Sequence, residues 1–145
     1  HWGGGVSISA MDQALIGLML MGNGNYKGRQ ILSQKWLQMM QQPCEVAPYY
    51  GYLIWLNHEG SLFKDAPLSS WFAIGAGSSI TWVDPTLELV CIIRWIDAAK
   101  TNDCIAHIMR ALKGWGTSFR LSWLLNRTQP NRLGKSIELC CLLQI

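Results

Sequence analysis

The stretch best placed to do chemistry is Trp71-Phe72-Ala73-Ile74-Gly75-Ala76-Gly77-Ser78-Ser79-Ile80-Thr81-Trp82-Val83-Asp84-Pro85. It sets a window of small residues, 75–77, inside an apolar, β-type alternation. Glycine weakens a strand interior unless something must approach the backbone closely. The window therefore reads as a place where a substrate carbonyl approaches the backbone, or else as a β-bulge or a crowded packing contact. Asp84-Pro85 is turn chemistry rather than half of an acid pair. His1, His58 and His107 fall on the first residue, in a turn and on a helix surface, so no Ser–His–Asp set emerges. Cys44, Cys91, Cys104, Cys140 and Cys141 form no C-x-x-C pair and no zinc spacing with histidine. Their odd, scattered count favours buried thiols over a disulfide scaffold, and no metal or cofactor is expected.

The run 87–96 follows the Asp-Pro turn directly and predicts the second arm of an antiparallel hairpin, with the window interrupting the first arm. Upstream, Ser9 predicts an N-cap, and Asp12 at the third helical position suits the free N–H groups and the helix dipole. Met11, Ala14, Leu15, Ile16, Leu18, Met19, Leu20 and Met21 leave almost no polar face, predicting a helix buried on most sides. Ser33 caps a second helix that Pro43 closes. Residues 49–56 predict a strand, 57–60 a turn and 61–67 a loop. Thr101-Asn102-Asp103 opens a last helix with Ile105, Ile108, Met109 and Leu112 at helical spacing. Helix, helix, strands, helix is the order of an α+β fold, an antiparallel sheet flanked by helices.

The chain has 145 residues, enough for one domain and its core. It opens on His1-Trp2-Gly3-Gly4-Gly5, which reads as the inside of a longer protein. The apolar run 14–21 is too short to span a bilayer. The net charge of +3 is unevenly spread: residues 1–112 carry seven Lys/Arg and eight Asp/Glu, whereas residues 113–145 carry five Lys/Arg and only Glu138. That confinement of basic charge disfavours a nucleic-acid role. The segment 113–145 keeps neither helical nor strand periodicity and reads as a poorly ordered basic extension, of the composition a shifted reading frame would give, or as a partner-binding tail. Asn126-Arg127-Thr128 matches a glycosylation sequon.

The ordered set His1-Trp2-Gly3-Gly4-Gly5, Ser7-x-Ser9-Ala10-x-Asp12, Gly28-Arg29-Gln30-Ile31-Leu32-Ser33, Tyr50-Gly51-Tyr52-x-x-Trp55, Gly75-Ala76-Gly77 and Trp82-Val83-Asp84-Pro85 resembles the C-terminal part of the β-lactamase-related serine hydrolases. That family includes class C β-lactamases, penicillin-binding-protein-like peptidases, esterases and amidases of the 6-aminohexanoate-dimer hydrolase type. The resemblance spans residues 1–112 and stops at the tail. It implies a partial β-lactamase/transpeptidase-like fold whose nucleophile and proton carriers, a Ser-x-x-Lys and a Tyr-x-Asn motif, lie in a missing N-terminal part of the same fold.

The family's third motif, Lys/His-x-Gly, aligns with Ala73-Ile74-Gly75. By resemblance Ala76 N–H is an oxyanion donor, Ala73, Gly75 and Gly77 line the substrate site, and Trp71 forms a wall. Ala73 removes the cation that would meet a β-lactam carboxylate, so the resemblance implies a small-molecule ester or amide substrate. Ser61-Leu62-Phe63-Lys64 spells Ser-x-x-Lys, but Asp65-Ala66-Pro67 leaves no room for the helix that would set both on one face. Trp55-Leu56-Asn57 echoes Tyr-x-Asn, but an indole lacks the phenol's acid/base chemistry. The family's frequent export leans towards a periplasmic or secreted location. The contrasting expectation is a truncated or vestigial module that keeps the sheet without chemistry; in either case the chain alone is expected to be inactive.

Overall fold

The computed structural model describes residues 5–114 and 138–144. Its elements are α1 (Ala10–Met21), β1 (Asn25–Tyr26), β2 (Arg29–Gln30), α2 (Gln34–Met40), β3 (Trp55–Leu56), β4 (Trp71–Gly75), β5 (Ser79–Asp84), β6 (Leu89–Arg94), α3 (Thr101–Gly114) and β7 (Glu138–Gln144). Strands β3 to β7 lie side by side in sequence order, antiparallel except for the parallel β6–β7 pair. The fold is α+β, as its segregated elements predict.

Alternation along β4, β5 and β6 sends successive side chains to opposite faces of the sheet. One face presents Phe72, Ile80, Trp82, Leu89, Cys91 and Ile93, which pack with Ile105 and Ile108 of α3. The other presents Trp71, Val83, Val90 and Ile92, which pack with Ala14 of α1 and with Ile54 and Leu56. α1 approaches closely because it carries Gly17: a Cβ there would overlap Val90 Cγ1. Its start is as expected, Ser9 Oγ accepting the Asp12 N–H at 3.0 Å and donating to Asp12 Oδ2 at 2.7 Å. Ser33 Oγ likewise accepts the Trp36 N–H at 3.1 Å to open α2.

Two buried polar groups organise the loops. Asp84 is fully buried at the end of β5, where Oδ2 accepts from Ser69 Oγ at 2.8 Å and Ser70 Oγ at 2.6 Å, and Oδ1 accepts the Leu87 N–H at 2.8 Å. Trp82 Nε1 donates to Ser70 Oγ at 2.9 Å, so the knot ties the β5–β6 turn to the start of β4. Asn57 clamps the 61–67 loop, its Nδ2 donating to the carbonyls of Phe63, Ala66 and Pro67 and its Oδ1 accepting from the N–H groups of Leu62 and Phe63.

Four expectations are corrected. α1 buries one face only, since Met11 and Ile16 are exposed. The run 49–56 is a strand only at Trp55–Leu56. Before it, the chain folds back on itself: Gly51 N–H donates to Ile54 O, Leu53 is left-handed at φ 60°, and a Cβ on Gly51 would overlap the Met40 carbonyl. The window 75–77 neither interrupts a strand nor forms a bulge; Gly75 ends β4, and Ala76 and Gly77 open the three-residue turn into β5. Finally, residues 138–144 of the basic tail form β7 beside β6. His1, the first four residues, the sequon at Asn126 and the rest of the tail from 115 to 137 lie outside the described residues. Among the described residues, no helix is long and apolar enough to cross a membrane.

Candidate functional site

The site is built on the α1 face of the sheet, at the end where β4 turns into β5. Cross-strand register brings Gly75 opposite Ser79 and Ala73 opposite Thr81. The β5–β6 register pairs Thr81 with Ile92, and its continuation sets Arg94 beside Ser79. Residues 75, 79 and 94 therefore form one row across three strands, and residues 73, 81 and 92 the next. α1 lies over β5 and β6, to one side of β4. Ala73 is half-buried, while Gly75, Ala76 and Gly77 are exposed.

The edge of β4 is open at the same place. β3 pairs only with Trp71 and Phe72, so among the described residues the backbone of residues 73–75 has a sheet neighbour on the β5 side alone. An unpaired run of alternating N–H and C=O groups can take an extended chain alongside it. The adjoining turn is tight: Gly77 has φ 69° and Ser78 φ 51°, both left-handed.

Ala73, Gly75, Ala76 and Gly77 are thus brought together, whereas Trp71 is not. It sits four residues along β4 from Gly75, about 13 Å at strand rise, and is only 3% exposed within the apolar cluster beneath α1. The aromatic ring at the turn is Trp95. It is 68% exposed and left-handed at φ 60°, a rare conformation for a bulky residue. A Cβ on Gly77 would overlap its indole, so the ring rests directly on the glycine backbone. Sequence alternation carries Trp95 along as a strand residue; only the position of the turn reveals its neighbour.

Among the described residues, three buried side-chain polar atoms lack a hydrogen-bond partner: Gln13 Oε1, Trp71 Nε1 and Arg94 Nε. All three belong to the α1 side. Gln13 projects from α1, where its Nε2 donates to Thr81 Oγ1 at 2.9 Å. Arg94 shares a face with Val90 and Ile92 by alternation, and its Nη1 donates to the Ile8 carbonyl at 3.0 Å. The α3 side keeps Trp82 Nε1 and the Asp84 carboxylate fully paired.

The other candidates are structural or solvent-exposed. Ser61 and Lys64 lie on the exposed loop held by Asn57, not on a helix face. Asn57 itself, the end of the Trp55-Leu56-Asn57 run, is occupied by that clamp. His58 stands 3.9 Å from Glu59 with both side chains largely exposed, a contact of little energetic weight. His107 is exposed on α3, with Nδ1 2.7 Å from the Asp103 carbonyl. Cys44 is exposed, contrary to a buried thiol, whereas Cys91 is buried. Among the described residues no group of His, Cys, Asp and Glu could hold a metal ion. No protein-family model and no curated protein matches the chain.

Proposed function

We propose that the chain is the sheet-bearing segment of a β-lactamase-like serine hydrolase that cleaves ester or amide bonds through an acyl-enzyme. The observation that carries this reading is the one-sided backbone edge at residues 73–75 running into the exposed Ala76 of a glycine-containing turn. The substrate lies along that edge with its carbonyl oxygen at Ala76 N–H. As a serine hydroxyl adds to the carbonyl carbon, negative charge develops on that oxygen, and the Ala76 N–H together with the nucleophile's own N–H stabilises it. Loss of one such donor costs roughly 2.7–4 kcal/mol. The serine proton passes to its lysine partner and then to the departing alcohol or amine, and water afterwards releases the acid. Gly75 gives the substrate room, and Ala73 leaves no cation on β4, which favours a simple ester or amide over a β-lactam.

The serine, its lysine and the tyrosine come from a further part of the same fold. The 145-residue chain alone is therefore expected to leave p-nitrophenyl acetate intact. Turnover by the purified chain that Ser61→Ala abolishes would overturn this. The positive test uses the product of the complete gene: a fluorophosphonate should label one serine outside this chain, within a Ser-x-x-Lys sequence. Failure to label any serine would favour the second reading, a non-catalytic module. The observation behind that alternative is the paired, well-buried core around Asp84 and α3, which has the makings of an independent fold.

A further inference from the structure

The surface around α2 carries apolar side chains where exposed turns ordinarily carry polar ones. Within 31–53, Ile31, Trp36, Val46, Tyr49, Tyr52 and Leu53 are exposed. α2 itself buries Leu37 and leaves Gln34, Lys35, Trp36 and Gln38 outside. Two of the apolar residues stand on tight turns. Val46, 92% exposed, is the third residue of the turn that Ala47 N–H closes on the Cys44 carbonyl at 3.1 Å. Leu53, 83% exposed, lies in the turn that Gly51 N–H closes on the Ile54 carbonyl at 2.9 Å. Gly, Asn and Asp dominate such positions. Leu53 is moreover left-handed at φ 60°, a conformation that costs a bulky residue energy and that points to function where it persists.

Both turns belong to one knot of chain seated on α2. Tyr52 N–H donates to the Met40 carbonyl at 3.1 Å, and the Tyr52 ring lies 5.9 Å from that of Trp36. Cys44 N–H donates to the Tyr50 carbonyl and Tyr50 N–H to the Ala47 carbonyl, each at 2.8 Å, which ties the first turn to the second. Charge follows the same boundary. Residues 27–53 carry Lys27, Arg29 and Lys35, all exposed, against Glu45 alone. The rest of residues 5–113 carries five Lys/Arg and seven Asp/Glu.

Exposed apolar residues gathered in one region mark an interaction surface, and here shape and charge select the partner. A folded protein offers a surface of fixed shape that packs as densely as an interior. Aliphatic tips standing clear of two turns suit instead a fluid medium that closes around them. Trp and Tyr concentrate where one end of the ring is apolar and the other wet. Lysine and arginine beside them are drawn to anionic headgroups. We propose that the α2 surface, anchored by Leu53 and the Trp36–Tyr52 pair, docks on an anionic lipid bilayer, lying at its interface rather than spanning it. Docking of this kind does not depend on the hydrolase reading.

The test is flotation of the 145-residue chain with phosphatidylcholine vesicles containing phosphatidylglycerol, in a density gradient where lipid-bound protein rises and self-associated protein stays below. The wild type should partition onto these vesicles more strongly than onto pure phosphatidylcholine. Leu53→Asn should lower the partition coefficient about tenfold, the weight of one inserted aliphatic side chain. Lys35→Gln should lower it about fivefold, the weight of one cation near an anionic surface. Asparagine visits the left-handed region more readily than leucine. Leu53→Asn should therefore hold or raise the melting temperature while it weakens binding, which separates a docking role from a folding one.

The basic residues beyond 112 also attract anionic vesicles, but that attraction is screened by salt and does not depend on position 53. Equal flotation of the wild type and Leu53→Asn therefore overturns the proposal, as does a wild type that fails to float. Oligomers that dissociate in Leu53→Asn, with no flotation, overturn it in favour of a contact between copies. Binding that vanishes when the product of the complete gene replaces the chain overturns it too, because the rest of the same protein then covers the surface.

Discussion

At the scale of single residues, Trp95 and Gly77 form a coupled pair whose energetics can be separated. Alanine at position 77 meets two obstacles: a left-handed backbone at φ 69° and the indole resting on it. The backbone term alone is on the order of 1–2 kcal/mol. Gly77→Ala in the wild type should therefore destabilise by roughly 2–3 kcal/mol, and in a Trp95→Ala background by only about 1–2 kcal/mol, because the overlap is gone. Urea unfolding of the four proteins measures the difference; equal costs in both backgrounds would mean that the ring does not rest on the turn. Asp84 supports a second prediction. Its carboxylate is fully buried and accepts from two hydroxyls and one N–H. Asp84→Ala strands all three donors and should cost about 3–5 kcal/mol. Asp84→Asn keeps one acceptor and should cost about half as much.

At the scale of elements, the helix–sheet contact turns an expected gain into a loss. Gly17 lies inside α1, where alanine normally adds about 1 kcal/mol of helix propensity. Here the added methyl would overlap a Cγ of Val90, a stiff and almost fully buried side chain. Gly17→Ala should thus lower stability by about 1–2 kcal/mol, whereas with Val90→Ala in place the same change should be neutral or stabilising. A stabilising Gly17→Ala in the wild type would mean that α1 is not seated on β6. The caps of α1 and α2 were legible because Ser9 and Ser33 act over three residues. The turn at 75–78 was not, and the reason is one of phase. Its three-residue connection leaves 71, 73 and 75 on the same face as 79, 81 and 83, so the apolar alternation passes through the turn unbroken. With that turn unseen, neither the distance of Trp71 nor the proximity of Trp95 could be read. The run 49–56 misled differently: its aromatic residues suit a strand, yet Gly51 packs against the end of α2 and the backbone hydrogen bonds close locally.

At the scale of the whole molecule, charge and apolar exposure act together. Residues 5–113 contain eight Lys/Arg and eight Asp/Glu, so the net positive charge comes from the tail beyond them. Over the same residues Val6, Met11 and Ile16 are exposed on and just before α1, and Ile31, Trp36, Tyr52 and Leu53 are exposed around α2. Apolar surface without net charge to keep copies apart favours association. If this surface and the open edge of β4 belong against another part of a hydrolase fold, the isolated chain should self-associate at micromolar concentration, in a manner that added salt does not reverse. Light scattering on the purified chain decides between the two functional readings. A monodisperse monomer with one cooperative unfolding transition has no unmet surface to cover, and that result would favour the stand-alone, non-catalytic module. Association that disappears when the product of the complete gene is used instead would place the partner surface within the same protein, where the nucleophile must also be sought.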